Sequence, residues 1–471
     1  MLASERGDAP KLPLLTFGSR VPSQAKSQKC DGRDGRGPDN AGPRLTAHQL
    51  ERGAAMAMDS SDIQRSSRRK FLEFVAGSPL IPYLAVSGTI FGRQTMALSA
   101  ETLPASPYEV SSPAKAFDVF DLEEVAHKNL PIAHWAYLAG GVEADATLRA
   151  NREGFAKFQI RSRRLIDINK LDTSVELFGK TWPTPIVLCP VSSQRCFHPD
   201  GEIATARAAR ARNHLQMLST VTTAAVEDVI EAQGTPVWHQ LYPTTQWEIT
   251  KALVKRAEAA GCPVLAITVD NVTNAGRETL ARGRAMDSRD CKSCHSTAPG
   301  GYYARKSMFD NLDISNLQFV STAPYTWDLV RKVQDLTSMK VILKGIVTAE
   351  DANLALRHKV DGIVVSNHGG RGDESGRSTI EALPEVVKAV DGKIPILVDS
   401  GFRRGTDIFK ALALGANAVC VGRPYIWGLA AFGQAGVERS LEILRAELEA
   451  AMKTSGTPSI KSINRSFIQR T

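Results

Sequence analysis

The chain has 471 residues, of which 43% are hydrophobic and 23% charged, a globular balance with ample apolar material for a large core. Of its net charge of +8, residues 1–100 carry +5 (14 Lys and Arg against 9 Asp and Glu), which leaves +3 for the rest. So small a charge on the body, with no basic stripe interleaved with aromatics, speaks against nucleic acid as a partner and suits a cationic pocket for an anionic substrate. Seven cysteines, an odd number in a long chain, exclude a disulfide framework.

Residues 1–58 are rich in Gly, Arg, Asp, Ser and Pro without a period, which predicts disorder, or a true start at Met56 or Met58. Residues 59–105 hold Ser67-Arg68-Arg69-Lys70-Phe71-Leu72, a weakly apolar stretch to about Ala97, and small residues for cleavage at Ala97, Ala100 and Ala105. This pattern resembles a twin-arginine export signal, a route that carries folded, cofactor-loaded proteins. It predicts an exported protein, periplasmic or membrane-associated, and a cytoplasmic one if the signal is unused. A basic, partly helical linker is the plain alternative. Gly77, Pro79, Pro82, Gly88 and Gly92 break the run too often for a membrane helix. Residues 106–116 read as a spacer and 117–471 as one domain.

From Phe117 onward helices are expected over 121–127 and around 132–138, the second ending at Gly140-Gly141. Eight strand–helix units then follow. The expected strands are 185–189, 215–219, 237–242, 264–269, 341–344, 362–366, 396–398 and 418–421, each a short apolar run of the kind buried in a parallel sheet. The intervening helices begin at Gly201, Ala225, Trp247, Trp327, Ala349, Ser378, Thr406 and about Ile426, with a long irregular segment before Trp327. Eight even units favour an α/β fold of the (β/α)8 (TIM) barrel type, with an N-terminal helical extension, over an open doubly wound sheet.

In such a barrel the carboxyl ends of the strands carry the chemistry. The clearest case is Asp361-Gly-Ile-Val-Val-Ser-Asn-His-Gly-Gly-Arg371, an apolar strand stopped by two glycines. It leaves His368 and Arg371 three residues apart at the strand's end. A histidine removes a proton near neutral pH, and an arginine holds a carboxylate through two parallel hydrogen bonds. The pairing suits an acid substrate; a polar loop whose histidine caps a strand is the plain alternative. Other strand ends hold Pro190-Val191-Ser192, Ser219, Gln240-Leu241-Tyr242, Thr268-Val269-Asp270 and Lys344. The last two strands are followed by Asp399-Ser400-Gly401, Arg403 and Gly422-Arg423, where backbone amides and a helix N-terminus favour a phosphate.

Together these motifs resemble the FMN-dependent α-hydroxy acid dehydrogenase/oxidase family, which includes glycolate oxidase, lactate oxidase and the flavocytochrome lactate dehydrogenases. The likeness runs from about Phe117 to Met452. Besides the His368 segment it rests on Asp399-Ser-Gly-Phe-Arg403-Arg-Gly-Thr-Asp407, Lys410-Ala-Leu-Ala-Leu-Gly415, Val421-Gly-Arg-Pro424, Gln240-Leu-Tyr242, Thr268-Val-Asp270 and Pro199-Asp-Gly-Glu202. It implies that His368 is the catalytic base with Asp270 beside it, raising the imidazole pKa. It implies that Arg371, Arg277, Tyr137 and Tyr242 hold the carboxylate and carbonyl oxygen of the substrate. Lys344 would lie at the N1–C2 edge of FMN and stabilise the reduced ring. Pro190, Val191, Ser192, Ser219, Gln240, Thr268 and Ser366 would line the isoalloxazine and ribityl chain. Asp399, Gly401, Arg403, Gly422 and Arg423 would hold ribityl and phosphate. The implied reaction oxidises a small L-2-hydroxy acid, lactate- or glycolate-like, to the 2-oxo acid. Members are often tetramers, which implies a homo-oligomer.

The chain departs from the family pattern at Ser192, where Ala is common near the flavin, and at Val221, where glycolate oxidase has Trp. It departs again at Asn274, an apolar loop position in the family, and at Gly372-Asp373-Glu374 in place of Gln-Leu-Asp, an acidic loop near the mouth. Cys291-Lys-Ser-Cys294-His295 matches the attachment pattern of c-type haem, with Met286 and Met308 near in sequence. The motif predicts a haem that conducts electrons outward, a surface loop with a labile thiol pair, or a metal site lacking its other ligands. With the export signal it points to a respiratory acceptor, quinone or cytochrome. An oxidase that makes hydrogen peroxide is the alternative. An exported binding protein without turnover is a further one, though binding alone does not require a base.

Overall fold

A computed structural model describes residues 108–271, 276–289, 300–317 and 325–471. The segments 1–58 and 59–105, expected as disordered and as an export signal, lie outside the described residues. Residues 108–116 lie against the body: Ala116 is buried, and its carbonyl accepts from Arg439 Nε at 3.1 Å. No helix among the described residues is long and apolar enough to cross a membrane.

The described chain opens with helices α1 (Val119–Asn129), α2 (Ile132–Ala139) and α3 (Ala146–Glu153), strand β1 (Phe158–Ile160) and the hairpin β2 (Val175–Leu177) and β3 (Lys180–Trp182). The repeating part follows: β4 (Ile186–Leu188), α4 (Gly201–Arg212), β5 (Leu215–Ser219), α5 (Val226–Gln233), β6 (Trp238–Leu241), α6 (Trp247–Ala259) and β7 (Val264–Thr268). After α7 (Glu278–Met286) and α8 (Trp327–Gln334) come β8 (Lys340–Ile346), α9 (Ala349–Arg357), β9 (Gly362–Val365), α10 (Thr379–Val390), β10 (Ile396–Val398), α11 (Gly405–Ala413), β11 (Ala418–Val421) and α12 (Arg423–Ser455). Among the described residues β4 to β11 form a closed barrel of eight parallel strands, with β11 paired to β4 at the seam. Strand β12 (Ile468–Arg470) pairs antiparallel with β1.

The expected (β/α)8 barrel is what the chain forms. Strands β5, β10 and β11 coincide with their predicted ranges, and the others differ by one or two residues at an end. Helix α7 falls within the segment expected to be irregular, and α3, β1, β12 and the β2–β3 hairpin carried no expectation.

Alternation along each strand builds two cores. Leu215, Met217, Val264, Ile342, Val364 and Leu397 pack together inside the barrel. Their neighbours Leu218, Ile267, Leu343, Ile363 and Val398 join the larger cluster beneath the helices. The amino-terminal mouth is plugged by the β2–β3 hairpin. Its two-residue turn has Phe178 at φ 49 and Gly179 at φ 79, the doubly left-handed geometry that matches strand twist. The turn drives Phe178 edge-on against Trp238, with ring centres 5.3 Å apart, while Leu177 and Trp182 fill the opening. Burying such a side chain stabilises the fold by about 2–3 kcal/mol. The carboxyl-terminal mouth is left for polar groups.

Candidate active site

At that mouth β9 ends in three consecutive left-handed residues: His368 at φ 59, Gly369 at φ 70 and Gly370 at φ 76. The glycines adopt this freely, but a histidine held there costs roughly 1–3 kcal/mol. The turn aims the imidazole back across the barrel. Nδ1 of His368 lies 2.7 Å from Asp270 Oδ1, beyond β7. Nε2 lies 3.1 Å from the Tyr242 hydroxyl, beyond β6. Burial pushes Asp270 up, but the imidazole and the Lys344 ammonium outweigh it and hold the carboxyl below its ordinary value. Asp270 is therefore an anion and Nδ1 carries a proton toward it, which leaves Nε2 as the acceptor. For His368 the result differs from the expected upward shift. Burial lowers its pKa, and Asp270 only partly offsets that, with Lys344 and Arg371 adding to the depression. The imidazole is neutral at pH 7.

Beside the imidazole is a cationic cradle. Arg371 donates to the Tyr137 carbonyl at 2.9 Å and stacks on the Tyr137 ring, its Cζ 4.4 Å from the centre. Arg277 approaches the same ring at 6.0 Å. The charge of Arg371, helped by burial, pulls Arg277 down to about 10. Two guanidiniums pressed together in this way make a place for an anion. The Tyr137 hydroxyl is 2.8 Å from Ser192 Oγ. Tyr302, which carried no sequence expectation, also borders this space: burial and the neighbouring Tyr137 and Tyr242 raise its phenol well above the ordinary value. Val221 is buried beneath, its nitrogen donating to Ser219 Oγ at 3.3 Å.

On the opposite side Lys344 projects from β8, 5% exposed. It donates to Ser366 Oγ at 2.9 Å, pairs with Asp399 at 3.2 Å and stands 4.0 Å from Asp270. Burial would strip its proton, but Asp399 and Asp270 more than compensate and raise its pKa. A chain of amide and hydroxyls closes the floor: Ser219 Oγ donates to Gln240 Oε1 at 3.1 Å, and Gln240 Nε2 to Thr268 Oγ1 at 2.9 Å. Pro190 and Val191 follow β4 at the rim, Val191 against the barrel core.

Beyond β10 and β11 stand Gly401, Arg403, Gly422 and Arg423. A Cβ on Gly401 would lie 2.1 Å from the carbonyl oxygen of Asn151, so only glycine fits there. Arg403 lies over the Trp427 ring at 4.6 Å, and burial with the charge of Arg152 pulls it down to about 10. Arg423 donates to the carbonyls of Leu138, Gly369 and Gly140 at 2.8, 3.0 and 3.1 Å. Burial, Arg371 and Arg403 together depress it well below its ordinary value. Crowded guanidiniums, Arg403 buried and Arg423 half-buried at a helix start, suit a phosphate dianion. With the buried Lys344 ammonium and the Ser219–Gln240–Thr268 floor, the residues present fit FMN.

Helix α3 ties these loops together, and the face it buries is polar, Thr147 and Asn151. Its first amides, Ala146 and Thr147, donate to Glu374 at 2.8 and 3.3 Å. Glu374 of the acidic loop thus serves as a helix cap. At the other end Arg152 donates to Asp407 at 2.9 Å and to the Gly401 carbonyl. Asn274 and Cys291, Cys294 and His295 of the haem-like motif lie outside the described residues. Of the two methionines near that motif, Met308 is buried in the core and Met286 exposed.

Three comparisons bear on this arrangement. Residues 126–470 match the model of the family described as FMN-dependent dehydrogenase. The chain is 40% identical over 352 residues to the L-lactate oxidase of Lysinibacillus sphaericus (strain C3-41), covering 73% of this chain and 90% of that one. The chain belongs to the FMN-dependent dehydrogenase family. It is also 39% identical to glycolate oxidase 3 of Arabidopsis thaliana, over 75% of this chain and 95% of that one. Among solved structures, a soluble mutant of the membrane-associated (S)-mandelate dehydrogenase from Pseudomonas putida superposes with a TM-score of 0.69 at 31% identity, over 75% of this chain and 99% of the other. A mandelate oxidase with a difluorinated hydroxy acid gives a TM-score of 0.67 at 36% identity, over 76% and 99% of the two chains. As a member of the FMN-dependent dehydrogenase family, the protein is an FMN-dependent oxidoreductase acting on the CH–OH group of 2-hydroxy acids.

Proposed function

We propose that the protein oxidises a small L-2-hydroxy acid, lactate- or glycolate-like, with His368 as the base and a respiratory carrier outside the cytoplasm as the acceptor. The observation that carries the chemistry is the imidazole held between Asp270 and Tyr242 beside the Arg371–Arg277 cradle. Arg371 and Arg277 take the substrate carboxylate, with the Tyr137 hydroxyl as a further donor. Nε2 of His368 takes up the proton released on oxidation, and Asp270 stabilises the imidazolium. Burial raises the Tyr242 phenol, so it stays protonated and able to donate to the substrate oxygen. The chemistry that FMN supplies when bound is acceptance of the two electrons. Lys344 sets a fixed positive charge where that chemistry accumulates negative charge. Ser192, Ser219, Gln240, Thr268, Ser366 and Asp399 position the cofactor, and Arg403 and Arg423 hold its phosphate.

The reading of the acceptor is supported by Arg68-Arg69 and the weak apolar run behind them, and by a relative described as membrane-associated. The relatives named L-lactate oxidase and glycolate oxidase favour a second reading, in which oxygen is the acceptor and hydrogen peroxide the product. A panel of L-2-hydroxy acids added without air should bleach the yellow holoenzyme, and the best of them names the substrate. In air, one peroxide per 2-oxo acid at a fast rate, indifferent to an added quinone analogue or cytochrome, would overturn the respiratory reading. Slow turnover in air that rises strongly with either acceptor is the expected result.

A further inference from the structure

Buried at the centre of α3 is Asn151, 1% exposed, and it faces Asn367, 3% exposed and next in sequence to His368. The two amides form a reciprocal pair: Asn151 Nδ2 donates to Asn367 Oδ1 at 2.9 Å, and Asn367 Nδ2 donates to Asn151 Oδ1 at 2.8 Å. Asn367 uses all of its remaining capacity, and Asn151 Oδ1 accepts a second bond. The amide of Gly370 donates to Asn367 Oδ1 at 3.1 Å, Asn367 Nδ2 reaches the Arg377 carbonyl at 3.1 Å, and the Thr379 amide donates to Asn151 Oδ1 at 3.3 Å. Thus the side chain of Asn151 grips one end of the strained left-handed run, and Asn367 grips both ends, at 367 and at Gly370. The backbone of Asn151 meanwhile packs against Gly401 of the loop read as the phosphate site.

We propose that Asn151 is a positioning residue: through Asn367 it holds His368 in its left-handed conformation, with Nδ1 on Asp270, without touching substrate or cofactor. The inference rests on the reading of His368 as the base. Holding a histidine at φ 59 costs roughly 1–3 kcal/mol, which surrounding bonds must offset. The amide pair supplies such bonds, because relaxing residue 368 would break bonds among groups that have no water to replace their partners. The amide pair also explains why a polar helix lies against the barrel mouth, since α3 contributes hydrogen bonds there rather than an apolar stripe.

The test uses the holoenzyme and two variants. In Asn151→Ala, Asn367 loses its mate. With the base misplaced by about 1 Å, kcat should fall on the order of 100-fold, while KM and FMN content stay within about threefold. A crystal structure of this variant should show residue 368 relaxed and its contact with Asp270 lengthened. Asn151→Asp supplies a readout that a packing role would not move. A protonated carboxyl can donate to Asn367 Oδ1 and accept from Asn367 Nδ2 as the amide does, whereas a carboxylate cannot donate. Activity of Asn151→Asp should therefore be near normal in acid and fall as pH rises, a limb absent from the natural enzyme. The charges around this position, Arg152 with Asp407, Arg377 with Glu385, and Glu374 at the helix start, are unchanged in both variants. The proposal is overturned if Asn151→Ala keeps kcat within about threefold, if residue 368 stays left-handed on Asp270, or if Asn151→Asp shows no new limb. Should Asn151→Ala fail to fold, Asn151→Asp alone decides. If His368→Gln itself is fully active, the reading of the base has failed instead.

Discussion

The two mouths of the barrel are built by the same strands and differ by one step of two residues. Toward the amino end the inward positions are Met217, Trp238, Ala266, Ile342, Val364 and Leu397, packed as one dry cluster. Two residues on, the same strands present Ser219, Gln240, Thr268, Lys344, Ser366 and Asp399, all buried and polar. The desolvation cost of the second layer is met by pairing: Lys344 lies between Asp399 and Asp270, and Gln240 between Ser219 and Thr268. Stability and chemistry thus occupy adjacent layers of one object. A substitution in either layer should disturb one property and spare the other.

The largest effect is expected at the polar mouth. His368→Gln should lower kcat by roughly 10²–10⁴ with melting temperature and FMN content unchanged, as judged by stopped-flow bleaching and thermal scans. The reciprocal experiment is Trp182→Ala in the plug. It should cost about 3–5 kcal/mol in chemical denaturation, and the rate per bound flavin should hold. A fall in that rate matching the loss of stability would mean the layers are not separable. Arg371→Lys replaces a forked donor stacked on Tyr137 with a point charge, and KM should rise about 10–100-fold with a smaller change in kcat.

The pH profile sharpens the same contrast. Since burial holds His368, the proposed base, below its ordinary 6.5, it is neutral at lower pH than a solvated histidine. The acid limb of kcat/KM should lie below 6.5. Asp270 is the charge that pulls the limb upward, so Asp270→Asn should move it further down while also lowering kcat. A limb that moves upward would refute the pairing. The smallest effect is expected at Ser192→Ala, which leaves the Tyr137 hydroxyl without its 2.8 Å partner. KM should rise by less than about tenfold.

The barrel was legible because its strands are short unbroken apolar runs between turn residues, and β5, β10 and β11 were readable to the residue. The strand ends placed His368 and Asp270 at the same mouth, but their pairing was legible only through the family resemblance, since a strand end does not say which side chains meet across the barrel. The sign of the His368 shift was not legible, because a neighbouring carboxylate is visible in a motif and burial is not. The plug escaped notice since Lys180–Trp182 is too short for a period of two to show. Helix α3 escaped because Ala-Thr-Leu-Arg-Ala-Asn-Arg-Glu has no apolar stripe, its capping carboxylate arriving from Glu374, far along the chain.

The seam of the barrel has a consequence in time. Val419 of β11 pairs with Ile186 of β4, so the ring closes only when segments far apart in sequence meet. Until then β4 and the most recently made strand are open edges, each able to pair with another chain. Contacts of such long range make folding slow. While the chain is being made, a growing row of apolar strands lies exposed, and the β2–β3 plug, made just before β4, can cover only one mouth of it. Expression yield should therefore respond more to temperature and chaperone supply than to changes at the finished active site.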